Sequence, residues 1–147
     1  CPSRLISCTV TAFSPRSGAA PRLSPNRCSE MTSRAEKEAV RIGHMLDAIS
    51  GLRQVVAEAG LEGLDSSWTR MRAFERGFEI ISEASRHVSE DTKATEPGIA
   101  WREIAGIGNV LRHDYDGLQA AILTNAFENR IDDLEAALRR MLARLQA

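Results

Sequence analysis

From about residue 33 onward, apolar residues recur at spacings of three and four, the period of one face of an α-helix. The first such stretch reads as a helix that begins at Ser33, an N-cap with Glu36 as its capping-box partner, and runs to about Ala59. Its apolar stripe is Ala39, Ile42, Leu46, Ile49, Leu52 or Arg53, and Val56, while His44 lies off the stripe on the rim. Gly60 and Gly63 then break the chain. A cap at Asp65 or Ser66 opens a second helix to about Val88, with Met71, Phe74, Phe78, Ile81 and Ser85 on one face. Ser89 to Gly98 reads as the longest internal loop, with Pro97-Gly98 as its turn. A third helix starts at Trp101 and meets a C-terminal stop at Gly117. Leu118 to Phe127 reads as a short helical segment and Ile131 to Leu145 as a longer one. The pattern predicts an all-α fold, an antiparallel up-and-down bundle of about four main helices. Phe74, Phe78, Ile81, Ile104, Ile107, Leu111, Leu138 and Leu142 are expected inside it.

Composition changes this picture mainly at the N-terminal end. The formal charge is −1, yet residues 1–30 hold Arg4, Arg16, Arg22 and Arg27 against Glu30 alone. The remainder is therefore acidic, which argues against a protein that coats nucleic acid non-specifically. All three cysteines, Cys1, Cys8 and Cys28, also lie in that leading segment. An odd count in a Ser/Pro/Arg-rich tract is neither a disulfide framework nor a zinc site. Residues 1–30 are expected to be a disordered or non-native extension ahead of a natural start at Met31, and residues 31–147 the folded domain. A cysteine-free domain is compatible with a cytoplasmic location. No stretch approaches the roughly 18 apolar residues of a membrane span.

The chemistry concentrates in Trp101 to Leu118, where a histidine, a tyrosine, two arginines and an amide share one predicted helix. At about 100° per residue, Trp101, Ile104, Ile107, Leu111 and Tyr115 fall on one side. Arg102, Asn109, Arg112 and His113 fall broadly on the other, and Asn109 and His113, four apart, are neighbours. Gly106-Ile107-Gly108-Asn109 lies inside a helical pattern with no strand before it, so a dinucleotide-binding loop is excluded. No His/Asp/Glu cluster has metal-ligand spacing, and no cofactor is expected.

Trp101 through Tyr115 resembles the signature of the HEPN superfamily in its HepT-type branch, Trp-Arg-Glu-Ile-Ala-Gly-hydrophobic-Arg-Asn-x-x-x-His-x-Tyr. Glu79 to Ser85 resembles the family's second patch, usually Ile-Gly-Glu-Ala, and the two patches with their helices cover roughly Ala35 to the C-terminus. The chain departs from the signature where the arginine stands, which here is Gly108. The resemblance implies a toxin of a toxin–antitoxin pair, a metal-independent endoribonuclease in which the RNA 2′-hydroxyl attacks. It implies a homodimer with this helix at its interface, and neutralisation by a nucleotidyltransferase antitoxin that adenylylates Tyr115.

Within that resemblance, His113 is the one nearby group able to exchange protons near neutrality. Asn109 and Arg112 join it as candidate catalytic residues, with Arg102 and Glu83 as supporting or RNA-binding groups. Gly108 cannot supply the positive charge that offsets the build-up on phosphate. Arg112 sits about 100° round the helix from His113, and Arg102 lies three turns away, about 16 Å along the axis. Two alternatives stay open: a HEPN protein that has lost cleavage with its arginine and acts as a nucleotidyltransferase partner, and an unrelated helical dimerisation module. For Tyr115 a core role, and for Glu83 a surface role, stand beside the functional ones.

Overall fold

Helix formers (Ala, Leu, Arg, Glu) dominate beyond residue 33, and no proline falls between Pro25 and Pro97 or after Pro97. The computed structural model describes residues 26–113 and 118–147, with side chains over 34–112 and 120–147. It comprises α1 (Asn26–Ala59), α2 (Trp68–Arg86), the single-turn α3 (Glu90–Lys93), α4 (Trp101–His113) and α5 (Leu118–Gln146). No strand occurs among the described residues, and the four long helices form an all-α up-and-down bundle.

The core runs between α1, α2 and α5. Ile42, Met45, Ile49 and Leu52 of α1 meet Phe74, Phe78 and Ile81 of α2 and Leu134, Leu138 and Met141 of α5, all buried. Phe74 and Phe78 pack edge to face with centroids 5.3 Å apart. Gly77 lets α1 and α2 close together, since a Cβ there would stand 2.6 Å from a Leu52 methyl. Of the alternatives on the α1 stripe, Leu52 turns inward, and Arg53 reaches outward to Asp132 and Glu135 of α5. His44 is exposed.

Several boundaries differ from the sequence expectation, each for a local reason. Ser33 is not an N-cap, because the chain is already helical from Asn26 and no glycine or proline intervenes to stop it. The cap of α2 is Ser67 rather than Asp65 or Ser66: its hydroxyl accepts the Arg70 N–H, while Ser66 donates to the Gly63 carbonyl. The predicted loop over Ser89 to Gly98 contains α3, capped by Ser89. Residues 118–146 form one helix instead of two, since Glu128, Asn129 and Arg130 include no helix breaker. Residues 1–25 and the expected stop at Gly117 lie outside the described residues.

Helix α4 stands against α2 and makes at most glancing contact with α5. Between α4 and α5 opens an apolar cavity of about 440 Å³, lined among others by Ile104, Ile107, Val110, Ile122, Ala126 and Leu134. This is why Ile104 and Ile107, expected in the core, are only half-buried; Leu111, later on α4, and Leu142, near the end of α5, both also expected there, are half-buried too. No helix among the described residues is long and apolar enough to cross a membrane.

The start of α4 is anchored through the segment before it. The Trp101 indole N–H donates to the carbonyls of Lys93 and Glu96, each at 3.2 Å. The Glu96 carboxylate, itself buried, accepts from Arg140 and Arg144 of α5, each at 2.7 Å. Thr92 donates to buried Glu38 of α1. The hydrogen bonds from Arg140, with the one from Arg144, hold the Glu96 carboxyl down at about 2. A carboxyl lowered from 4.5 contributes stability that is present above its unfolded value and lost as pH falls toward its folded value. Acid melts of the wild type and Glu96→Gln should therefore converge between about pH 4.5 and pH 2, with the variant less stable at neutrality. Parallel curves across that window would show that Glu96 does not tie α5 to the start of α4.

Candidate functional site

The second half of α4 presents little bulk toward α2, with Ala105 and Gly108 one turn apart. There Ser82 of α2, 1% exposed, donates to the Ala105 carbonyl at 2.9 Å and accepts the Gly108 N–H at 3.1 Å. Gly108 is buried against it. A Cβ at position 108 would meet the Ser82 hydroxyl oxygen at 2.9 Å and its Cβ at 3.4 Å. Glycine is thus a packing requirement where the two helices cross.

One turn further along α2, Arg86 crosses to the same strip of α4. Its Nε and Nη2 donate to the Ala105 carbonyl at 3.1 and 2.7 Å, and Nη2 also reaches Asn109 Oδ1 at 3.1 Å. Arg112 Nη2 donates to that same Asn109 oxygen at 2.7 Å. One neutral amide oxygen therefore gathers two guanidinium groups, one from each helix. The carboxylate beside them is Glu83, 3.8 Å from Arg86 Nη1 and drawn to His87 at 3.1 Å. With 60% of its side chain exposed, Glu83 offsets the cluster's positive charge only weakly.

Of the residues singled out from the sequence, Asn109 and Arg112 meet directly, on the exposed face of α4. Glu83 joins them only through Arg86. Arg102 is exposed on the first turn of α4, about 10 Å along the axis from Asn109, and takes no part. His113 is the last residue of α4, one turn beyond Asn109, and its side chain lies outside the described residues, as does Tyr115 altogether. Sequence reasoning missed Arg86 and Ser82. Arg86 reads as a surface partner of Glu83 three residues before it, and the available signal was Gly108 itself, a glycine within a helix that marks close approach. No group of three or more His, Cys, Asp or Glu residues able to hold a metal occurs among the described residues.

Comparison with known proteins matches residues 45–141 to the family described as Ribonuclease HepT-like. "Putative RNase TTE0752" of Caldanaerobacter subterraneus subsp. tengcongensis is 28% identical over 99 residues, 67% of this chain and 88% of that protein. "Probable ribonuclease HepT" of Thermococcus cleftensis is 33% identical over 66 residues, 45% of this chain and 60% of that protein. "Putative RNase MJ1380" of Methanocaldococcus jannaschii is 40% identical over 48 residues, 33% and 44% of the two chains. No solved structure matches.

The helix crossing makes a stability prediction opposite to helix propensity. Gly to Ala inside a helix ordinarily stabilises by up to about 1 kcal/mol. Gly108→Ala should instead cost roughly 1–3 kcal/mol through overpacking against Ser82. Ser82→Ala should relieve part of that cost, so denaturant melts of the two single variants and the double should show a coupling of roughly 0.5 kcal/mol or more. Additive effects would show that the helices do not press together there.

Proposed function

Because the chain belongs to the HepT-like ribonuclease family, we propose that it is an endoribonuclease that cuts RNA at the C-terminal end of α4. The carrying observation is the pair of guanidinium groups gathered on Asn109, one turn ahead of His113. A phosphodiester under attack accumulates negative charge, and hydrogen-bond donors fixed in advance stabilise it. In this reading the RNA 2′-oxygen attacks the adjacent phosphorus and the P–O5′ bond breaks. One proton passes from the 2′-oxygen to the departing 5′-oxygen, leaving a 2′,3′-cyclic phosphate and a 5′-hydroxyl. His113 exchanges that proton, since imidazole is the side chain whose ordinary pKa lies near neutrality. No step in the scheme calls on a metal ion.

The reading extends to the setting. The chain is the toxin of a toxin–antitoxin pair in the cytoplasm, and a nucleotidyltransferase antitoxin silences it by adenylylating Tyr115, two residues after His113. A second copy covers the α4 face, where Val110 and Ile122 are exposed beside the apolar cavity. The absence of arginine at 108 favours one competing reading, a chain that pairs with the nucleotidyltransferase but no longer cuts.

The test is cleavage of single-stranded RNA by the purified chain. Wild type should cut in the presence of a chelator and leave cyclic phosphate ends, while His113→Ala should stop cutting and keep the wild-type melting curve. Wild type that binds RNA without cutting it would support the competing reading. Cutting that survives His113→Ala would remove His113 from the chemistry.

A further inference from the structure

We propose that Arg86 and Arg112, joined on Asn109, form a binding site for the scissile phosphodiester, in which Arg86 supplies from α2 the positive charge that position 108 of α4 lacks. This rests on the RNA-cleavage reading above.

The geometry supports a site rather than a mere strut between helices. Arg86 Nη2 lies 3.9 Å from where a Cβ at position 108 would stand, which puts its positive charge beside that position. The Nε and Nη2 edge of the fork is spent on the Ala105 carbonyl, which fixes the plane of the group. The planar fork leaves Nη1 on another side, 3.8 Å from a carboxylate oxygen of exposed Glu83, an ion-pair distance too long for a hydrogen bond. The head group is thus held without being used up, with 33% of its side chain exposed to solvent.

Arg112 completes the site from α4. Two guanidinium groups sharing one amide oxygen repel each other, and a neutral acceptor offsets little of that repulsion. A phosphate between them removes the repulsion and takes up their remaining donors, the planar recognition for which arginine is suited. The exchange between helices is self-consistent: glycine at 108 admits Ser82, and the approach secured by Ser82 brings Arg86, one turn along, to Asn109. A Cβ at 108 would crowd Ser82 while standing in ordinary contact, at 3.9 Å, with Arg86 Nη2.

The experiment compares full-length wild type with Arg86→Ala, Arg86→Lys and Arg112→Ala, using a single-stranded RNA oligonucleotide as the probe. Cleavage kinetics, oligonucleotide affinity against salt and thermal melts are measured for each. Arg86→Ala should lower kcat by roughly 10²–10³-fold with a smaller change in KM. Added guanidinium ion, at concentrations that leave the melts unchanged, should restore part of that loss, and Arg86→Lys should retain more activity than Arg86→Ala. The salt slope of RNA affinity should shrink by about 0.7 for each arginine removed.

Cleavage that needs His113 but is indifferent to Arg86→Ala would overturn the proposal and leave the RNase reading standing. So would a loss that guanidinium does not restore, that Arg86→Lys shares, and that follows a fall in melting temperature, since that describes a strut. Wild type that binds RNA through Arg86 and Arg112 but never cuts would sink the cleavage reading and leave the phosphate site. Wild type that neither binds nor cuts would overturn both.

Discussion

The contact between the Ser82 hydroxyl and the backbone of Gly108 sets the geometry on which the candidate site depends. Ser82 is 1% exposed and hydrogen-bonded to α4, so a Cβ at 108 requires its hydroxyl or the helices themselves to shift. Buried polar groups need partners, and this one has two: Ser82 accepts the Gly108 N–H and donates to the Ala105 carbonyl. Because α4 is drawn to α2 at this point, it stands off from α5. The cavity lined by Ile104, Ile107 and Ile122 lies on the side it leaves open.

Helix α4 is consequently fastened in two places with different chemistry. Its first turn is held by the Trp101 indole and, through Glu96, by Arg140 and Arg144 of α5. Its later turns are held by Ser82 and by the fork of Arg86 on Ala105. Glu96 is buried and closely paired, whereas the hydrogen bonds of Arg86 among the described residues go to neutral oxygens and its carboxylate neighbour stands 3.8 Å away. A paired charge of the first kind contributes to holding the structure together. A charge held by neutral acceptors remains available to an anion, which is why the second fastening also carries the proposed chemistry.

How far all this was legible in the sequence differs between fold and site. Apolar spacing located α1, α2 and α4, split α5 in two, and picked out the inward face of α2, where Phe74, Phe78, Ile81 and Ser85 are buried by one stripe. It misjudged ends and joints: a polar stretch such as Glu128 to Arg130 interrupts the apolar pattern without stopping a helix, and serine pairs such as Ser66-Ser67 offer two caps where geometry takes one. The α4 stripe was read as core because a wheel shows which face is apolar and not whether a neighbour covers it. For the site, Asn109 and Arg112 could be named because they lie on one helix, three apart. Arg86 could not, because its partners are 19 and 23 residues away and its own helix offers it Glu83 as a ready explanation. Gly108 was the legible trace of the missing contact, and only the neighbouring helix says what it admits.

The Arg86 guanidinium is locked across the helix crossing onto Ala105 and Asn109. The most direct measurement is the nitrogen–proton NMR spectrum of the arginine Nε–H groups in the full chain near neutral pH. Locked as described, Arg86 should give a resolved Nε–H signal that exchanges slowly with water and shows through-space contacts to Ala105 and Asn109 of α4. An Arg86 signal exchanging as fast as that of a solvent-exposed arginine, with no contact to α4, would contradict the account.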